Sequence, residues 1–379
     1  MRRSLSVVAA TLLMLVAAAC TPTGASPTTT TEPAVLPDSG AVSASAGEQH
    51  SCAALVSGAV RCWGAGQYGQ SGDGSTTLAQ GVPVAVVGLA DATTVDAGGK
   101  ASCGVRTNGA VSCWGTIAGS TAVPADVPGI SGAVDVAVGG SHVCALLGDG
   151  TVDCWGGNNF GQVGNGEVSP ATDPVAVPGI SDAVLIDATS FRTCVVRSGG
   201  GVACWGTLFA DIVPGSFVGT LPVDVPGITD AAGVAAGGSH TCAVRATGTV
   251  DCWGHGEFGQ LGNGTTDTSA TAVQVSGVTS AVQVTAGYDH SCARLGSGAL
   301  RCWGAGASGQ LGNGASLDVS VPVDVGLGYA VADVAAGGNH TCAALASGDT
   351  TCWGAGSSRQ LGNNTTLSSS LPVYMPRLG

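Results

Sequence analysis

The sequence predicts an all-β protein built from seven repeats of four short strands, and three observations support this. Fourteen of the 15 cysteines form seven pairs spaced ten residues apart, and the second cysteine of each pair opens a Cys-Trp-Gly triplet. Similar segments recur about every 50 residues, which is the signature of a repeat architecture. The 63 glycines, the 10% of charged residues and many short Val/Ala/Thr segments favour strands joined by tight turns.

Repeat five shows the predicted elements in order. The first segment covers residues 235–244 and a second covers the Cys-Trp-Gly strand at 250–254. After a Gly-Gln-Leu-Gly-Asn-Gly loop at 259–264, two further extended segments follow at 272–275 and 281–284. Glycine-rich turns separate these segments, so each repeat supplies four strands.

The paired cysteines are predicted to form seven disulfides. A glycine follows the first cysteine of every pair by six residues, as at Gly58 and Gly248, where a three-residue hairpin loop needs a left-handed residue. Such a hairpin places the two cysteines opposite each other, and each bridge contributes about 2–3 kcal/mol by chain entropy. The alternative, seven two-cysteine metal sites, lacks the ligands that zinc requires. The predicted bridges, which need an oxidising compartment, are Cys52–Cys62, Cys103–Cys113, Cys144–Cys154, Cys194–Cys204, Cys242–Cys252, Cys292–Cys302 and Cys342–Cys352.

The first 40 residues are predicted to direct export. Residues 1–19 combine a basic start with a short apolar stretch and are expected to be a signal peptide. The small residues before Cys20 resemble the lipobox of bacterial lipoproteins, which implies a lipidated Cys20; ordinary signal cleavage is the alternative. Residues 20–40 are rich in Thr and Pro and are expected to form a disordered tether. We therefore expect a domain anchored to the extracytoplasmic side of a membrane, or alternatively a secreted one.

The charge balance argues against a nucleic-acid partner. The chain carries 25 Asp and Glu against 12 Lys and Arg, and Lys100 is its single lysine. An acidic surface repels phosphate backbones, so we expect no nucleic acid to bind.

Three recurring blocks carry a family resemblance. Ala-Gly-x-x-His-(Ser/Thr)-Cys, Cys-Trp-Gly and Gly-Gln-Leu-Gly-Asn-Gly recur through residues 41–379, which resemble the regulator of chromosome condensation repeat family. The resemblance implies a seven-bladed β-propeller of four-stranded antiparallel blades, with one disulfide in each blade. The cysteine pairs and the lipoprotein-like front depart from the eukaryotic pattern. The strands expected at residues 42–47 and 372–375 are candidates to share one blade and close the ring.

Several motifs that resemble chemistry are interpreted as structural. Histidine precedes the first cysteine by two residues in five repeats, and Ala101 and Arg192 replace it in two others. A metal-binding ring is one interpretation, but we favour hydrogen bonds from each imidazole to the backbone of its adjacent glycine loop. The tryptophans are expected to pack against neighbouring blades, with ligand stacking as the alternative. Glycine runs such as 64–69 match a dinucleotide fingerprint without its helix. No catalytic, cofactor or metal residues are predicted.

Repeat four departs most from the pattern and provides the candidate partner-binding rim. Its two variant loops would lie at the same end of the blade, and aromatic and arginine side chains are common interface anchors. Local packing beneath a longer loop is the alternative. The residues of this rim are Phe191, Arg192, Phe209, Ile212 and Phe217.

The expected function is that of a monomeric, non-enzymatic scaffold for a protein or cell-envelope ligand. Beta-lactamase inhibitory proteins, which are secreted bacterial members of the family, bind through loops on one propeller face. One alternative is guanine-nucleotide exchange, which the family name alone suggests and which an exported protein could not perform on a cytosolic GTPase. Another is a lyase or hydrolase with its site at the mouth of the channel.

Overall fold

Short strands interrupted by glycine turns account for nearly all the regular structure, as the repeat predicts. The computed structural model describes residues 40–117, 120–207 and 218–375. No helix in these three ranges is long and apolar enough to cross a bilayer. The predicted signal peptide, Cys20 and the tether lie outside the described residues, apart from residue 40. In chain order the strands are β1 (Ala41–Ala46), β2 (His50–Leu55), β3 (Val60–Ala65), β4 (Ala79–Ala85), β5 (Ala92–Ala97), β6 (Ala101–Arg106), β7 (Val111–Thr116), β8 (Ser120–Asp126), β9 (Ala133–Val138), β10 (His142–Leu147), β11 (Val152–Gly156), β12 (Ala171–Ala176), β13 (Ala183–Thr189), β14 (Arg192–Arg197), β15 (Val202–Thr207), β16 (Val218–Asp224), β17 (Ala231–Ala236), β18 (His240–Arg245), β19 (Val250–Gly254), β20 (Ser269–Gln274), β21 (Ala281–Ala286), β22 (His290–Leu295), β23 (Leu300–Gly304), β24 (Val319–Asp324), β25 (Val331–Ala336), β26 (His340–Leu345), β27 (Thr350–Gly354) and β28 (Ser369–Tyr374).

The strands form seven antiparallel sheets, each made of four consecutive strands in sequence order. The seven-bladed propeller is therefore confirmed. In blade 1, Cys52 pairs with Cys62 across β2 and β3, and Gly58 occupies the left-handed turn with φ of 82°. The other six blades repeat this register, so all seven predicted disulfides are present, one in each blade.

The ring closes by side-to-side packing of blade 7 against blade 1. Strands β1–β4 form blade 1 and β25–β28 form blade 7, so the suggestion that the chain ends share a blade is wrong. Each blade already has four strands from one continuous segment and needs no strand from elsewhere. The Ala41 N–H donates to the Gly348 carbonyl, and Ala41 and Met375 belong to one buried cluster.

The hydrophobic core lies between neighbouring blades rather than within them. Trp303 of blade 6 is fully buried and packs in one cluster with Leu261, Val275 and Val278 of the preceding blade. The same arrangement recurs at the other junctions, which agrees with the expected packing of the tryptophans. Each blade therefore depends on its neighbour to bury its apolar face.

At the junction of blades 7 and 1, larger residues replace two loop glycines, and a glycine occupies the facing strand position. Arg359 and Asn364 have φ of 61°, at loop positions where blade 6 has Gly309 and Gly314. Gly314 donates to the carbonyl of Ser370 on the next blade, whereas Asn364 donates to that of Gly81. A methyl group on Gly81 would collide with the Asn364 side chain. The larger residues on the loop are thus matched by a smaller residue on the strand.

Candidate functional site

One end of the propeller carries the loops that vary most, and we call it the loop face. It is formed by the β1–β2 and β3–β4 loops of blade 1 and their equivalents in the other blades, which an antiparallel meander places at the same end. The opposite end, the hairpin face, carries the β2–β3 turns and the connections between blades. The candidate rim residue Phe191 lies on the loop face.

The Gly-Gln-Leu-Gly loops are rigidly held by their glutamine. The Gln260 carbonyl accepts hydrogen bonds from the Trp303 indole at 2.9 Å and from the Ser291 hydroxyl at 3.2 Å, both on the next blade. Its side-chain Oε1 accepts a bond from the backbone N–H of Phe258 at 3.0 Å. The side chain and the backbone of one residue thus hold both the loop and the residue two positions before it.

This anchoring displays an aromatic side chain from three of the loops. Tyr68, Phe160 and Phe258 each stand two residues before the glutamine and are 38–41% exposed. Phe191, which is 45% exposed, lies beside Phe160 with ring centroids 4.7 Å apart. The Lys100 ammonium stands 4.4 Å above the Tyr68 ring. The loop face therefore presents exposed rings on rigid loops, which suits them to anchor a partner at low entropic cost.

The described loops of this face carry a surplus of carboxylates. Lys100 and Arg359 are the lysine and arginine side chains there. Seven acidic residues oppose them: Glu48, Asp73, Glu167, Glu257, Asp267, Asp289 and Asp318. On the hairpin face, arginines contact aspartates, as in the 2.7 Å contacts of Arg106 with Asp91 and of Arg197 with Asp182. The described loop face thus combines seven carboxylates and two cations, a surplus of five negative charges, with the exposed aromatic rings.

The predicted histidine contacts need a correction. Each imidazole Nε2 lies 2.6–2.9 Å from a serine or threonine hydroxyl of the next blade, as in the pair His142–Thr193, instead of bonding the adjacent glycine loop. The hydroxyl follows from the His-(Ser/Thr)-Cys motif, whose second residue faces the preceding blade. A methyl group on Gly139 would collide with the ring of His142, so glycine makes room for the imidazole.

Burial keeps these histidines neutral. It lowers the pKa of His142 to about 3 and that of His290 to about 4. Their hydrogen bonds join blades, and no group of three or more His, Cys, Asp or Glu in the described ranges is arranged to hold a metal ion. The geometry therefore assigns the histidines to the junctions between blades.

The central channel has a volume of about 560 Å³ and an acidic lining. The Asp187 carboxylate accepts from Ala236 N–H at 2.6 Å, and burial raises its pKa to about 8. Asp96 accepts from Val138 N–H at 2.7 Å, and burial raises its pKa as well. These carboxyl groups bond the backbone of the next blade, so they bridge blades as the histidines do.

Tyr288 narrows the channel at the loop face. A methyl group on Gly238 or Gly338, in the two flanking blades, would lie 2.9 or 3.1 Å from its ring. Burial, followed by the hydrogen bond to Glu48, raises the pKa of Tyr288, and its hydroxyl also bonds Ser190. One side chain thus links four other blades across the mouth.

The two described residues of the predicted rim of blade 4 lie in different environments. Phe191 is exposed, but Arg192 is only 5% exposed and donates to the Thr207 carbonyl, the His240 carbonyl and the Thr241 hydroxyl. Arg192 therefore replaces the missing histidine at its junction and is not an exposed anchor. Phe209, Ile212 and Phe217 lie outside the described residues.

Tyr68, Phe160 and Phe258 were not predicted as candidate site residues, because they lie in regular repeats whereas the candidate rim was placed in the irregular repeat four. A signal was present, since aromatic residues recur two positions before the glutamine in repeats one, three and five, where repeats six and seven have serine.

Comparisons with known proteins agree with this geometry. A family model described as Regulator of chromosome condensation (RCC1) repeat matches residues 41–70, 133–162, 231–260, 281–310 and 331–360. A second model of the same description matches 247–294 and 297–344, and the two together cover half of the chain. A comparison with curated proteins gave no significant match.

Solved structures with similar folds share about a fifth of their sequence with this chain. Human WBSCR16 is 22% identical, with a TM-score of 0.73 over 80% of this chain and 86% of that one. Prp20p from Saccharomyces cerevisiae, described with binding properties to Gsp1p and histones, is 21% identical, with a TM-score of 0.70 over 78% and 80%. Yeast RCC1 (Prp20) in a complex with Kap60 is 20% identical, with a TM-score of 0.73 over 84% and 83%. With its seven blades, its recurring motifs and these matches, the chain belongs to the regulator of chromosome condensation (RCC1) repeat family.

Proposed function

We propose that this protein is a non-enzymatic scaffold whose loop face binds a protein with a basic surface. The observation that carries the proposal is the coincidence of exposed aromatic rings with unneutralised carboxylates on that face. Aromatic anchors supply contact area, and the carboxylates attract a cationic partner and exclude acidic ones. Propellers of this repeat family commonly serve as protein-binding scaffolds, which supports the same conclusion.

The contacts of the described residues favour binding over catalysis. An enzyme at the channel mouth would need carboxylates and a histidine converging on one cavity. The channel carboxylates Asp96 and Asp187 are occupied by backbone N–H groups, and the buried histidines face the junctions between blades. The similarity to Prp20p supports a common fold only, so it adds no support for nucleotide exchange.

The proposed location is the outer side of a membrane. Seven disulfides form and persist in an oxidising compartment outside the cytoplasm. We propose that residues 1–19 direct export, that Cys20 is lipidated and that residues 20–40 tether the propeller. Mass analysis of the native N-terminus should find an acylated Cys20, and Cys20→Ser should release the protein into the medium. An unmodified Cys20 would contradict the anchor but leave the loop-face proposal intact.

The loop face is tested by in-cell photo-crosslinking with mass spectrometry. We expect the variant Tyr68→Ser/Phe160→Ser/Phe191→Ser to lose the crosslinked partner that the wild type captures. The matched control is Val56→Ser/Tyr329→Ser, which removes side chains that are 65% and 57% exposed on the hairpin face. Capture by the control should stay at the wild-type level.

The charge component has a separate test on the purified complex. Raising the salt concentration from about 0.05 M to about 0.5 M should weaken the complex, because screening reduces the attraction of exposed charges. Equal capture by the loop-face variant and the wild type, or a captured protein with an acidic contact surface, would refute the proposal.

A further inference from the structure

A cleft between blades 2 and 3 lacks a loop that fills the same space at other junctions. Three residues connect β7 and β8, whereas 14 connect β23 and β24 in blade 6. Blade 2 therefore has no Gly-Gln-Leu-Gly segment, and a cavity of about 290 Å³ lies between its outer strand and that of blade 3. Its lining includes Ile117, Val127, Trp155, Asp173 and Pro174.

Five other junctions show what occupies the equivalent space. At each of them a glutamine carbonyl accepts the indole N–H of the next blade's tryptophan at 2.9 Å. The following residue is buried between the blades and is aliphatic in four of the five: Val163, Leu261, Leu311 and Leu361. The glycine after it lies against the same indole, where a methyl group would be 2.6–2.8 Å from Nε1 in four of the five junctions. The molecule thus contains its own template of a carbonyl, an aliphatic side chain and a glycine.

Those five junctions place three polar side chains, a histidine, a serine or threonine, and the tryptophan, near the glutamine carbonyl. At the junction of blades 2 and 3, two of these three are replaced by apolar residues. Ala101 stands in place of histidine, and Val143 stands in place of the hydroxyl residue that faces it; both are buried. At the five junctions the hydroxyl donates to the glutamine carbonyl, so without that carbonyl a hydroxyl at position 143 would lack its acceptor. The apolar pair avoids the penalty of an unpaired buried group. This junction is therefore adapted to the missing loop.

Trp155 is the exception, because it retains its indole N–H. It is only 3% exposed and lines the cleft, and no hydrogen bond from its Nε1 is found within residues 40–117, 120–207 and 218–375. Val127 and Cys113 are only partly buried there, although the second cysteine of every other pair is buried. An unpaired donor therefore faces an accessible apolar cleft.

We infer that this cleft receives a loop of a partner protein that imitates the missing segment. The inserted loop presents a backbone carbonyl to Trp155 Nε1, a leucine or valine to the space between Val127 and Pro174, and a glycine to the indole face. The site is separate from the loop face and does not depend on the aromatic anchors proposed there. Its volume is near the lower end of the range of about 300–1,000 Å³ for ligand pockets, which suits a single side chain and its peptide groups.

The test uses acetyl-Gly-Gln-Leu-Gly-Asn-Gly-amide, the sequence of residues 259–264, as the probe. Titration is followed by the seven indole N–H resonances in a ¹H–¹⁵N spectrum, with Trp155 assigned by Trp155→Phe. We expect a saturable shift of the Trp155 resonance and none of the others. A probe with aspartate in place of leucine should leave the spectrum unchanged.

Two variants test whether the probe binds in the cleft beside Trp155. Trp155→Phe keeps the ring but removes the donor, and the loss of one hydrogen bond should weaken probe binding about two- to tenfold. Thr172→Trp, which fills the cleft from an exposed position, should abolish binding. The control Trp303→Phe, whose indole is already bonded to Gln260, should bind the probe like the wild type.

Two outcomes would overturn the inference: no saturable shift of Trp155, or equal probe affinity in Thr172→Trp and the wild type. If Trp155→Phe fails to fold, the wild-type shift and the Thr172→Trp result still decide the question. The loop-face variant Tyr68→Ser/Phe160→Ser/Phe191→Ser should bind the probe normally, so failure of one site does not imply failure of the other.

Discussion

The pair His142–Thr193 offers a direct measure of how one blade is fastened to the next. Both residues are fully buried, with 2.7 Å between His142 Nε2 and Thr193 Oγ1. The double variant His142→Ala/Thr193→Val recreates the natural pair Ala101/Val143. The two single variants and the double variant together form a thermodynamic cycle that isolates the interaction.

The expected free energies follow from what each substitution leaves behind. Thr193→Val preserves the volume but leaves a buried imidazole unpaired, since His142 Nδ1 has no partner either, and should cost about 1–3 kcal/mol. His142→Ala creates a cavity and should cost about 2–4 kcal/mol. In that background the Thr193 hydroxyl still donates to Gln162, so replacing it costs only about 0.5–1 kcal/mol. We therefore expect a coupling energy of about 1–2 kcal/mol.

Equilibrium unfolding in urea measures the four stabilities. Tryptophan fluorescence and circular dichroism should give the same midpoint, which is the requirement for two-state analysis. At pH 7.5 the histidine is neutral in the folded protein and mostly neutral in the unfolded one, because the unperturbed pKa is about 6.5. Proton uptake by His142 on unfolding then contributes little to the differences in unfolding free energy between the variants.

The reverse exchange at the adapted junction is the matched control. Ala101→His should destabilise the protein, because Val143 offers the new imidazole no hydroxyl, and the further change Val143→Thr should recover part of the loss. If the costs of His142→Ala and Thr193→Val add to within about 0.5 kcal/mol, the two residues are not coupled and the reasoning fails.

Three further predictions concern the channel, the closing junction and the cleft. Burial raises the pKa of Asp187 to about 8, above the ordinary value near 3.9, so its contribution to stability is lost as the pH rises between those values. Asp187→Asn, which keeps an oxygen acceptor, should therefore gain stability relative to the wild type from pH 5 to 8 in urea unfolding; parallel pH profiles would contradict this. Arg359→Gly should raise the stability by about 1 kcal/mol by relieving a left-handed φ, whereas Asn364→Gly should change it by less than about 0.5 kcal/mol, since asparagine tolerates that region; equal melting shifts for the two variants would count against the strain argument. Under mild reduction the Cys103–Cys113 bridge should be alkylated first in a peptide map, because thiol exchange needs access and Cys113 is only partly buried; preferential labelling of another bridge would be the contrary result.

Almost the whole fold could be predicted from the sequence, because the patterns that define the hairpins and blades are local. A cysteine opposite a cysteine ten residues away defines a hairpin, and seven hairpins with one flanking strand on each side define seven blades. The partners of His142 and Arg192 lie about 50 residues away on another blade, which no local spacing reveals. The interpretation of Arg192 as an exposed anchor failed for this reason, since its role depends on Thr241. Exposure of Phe160 likewise depends on where a loop lies relative to its neighbours.

Because each blade consists of four consecutive strands, the described chain forms a closed ring of blades with a single break in the backbone. The break lies between Met375 and Ala41, which pack in one buried cluster, and no strand crosses it. A circularly permuted gene that joins these ends and opens the chain between two other blades would preserve every sheet. The same topology permits evolution by duplication, since the gene segment for a whole blade can be copied, lost or exchanged without unpairing a strand of the neighbouring blades. The complementary sizes of Gly81 and Asn364 then make the contact between the first and last blades specific, because a larger residue at position 81 would collide with Asn364.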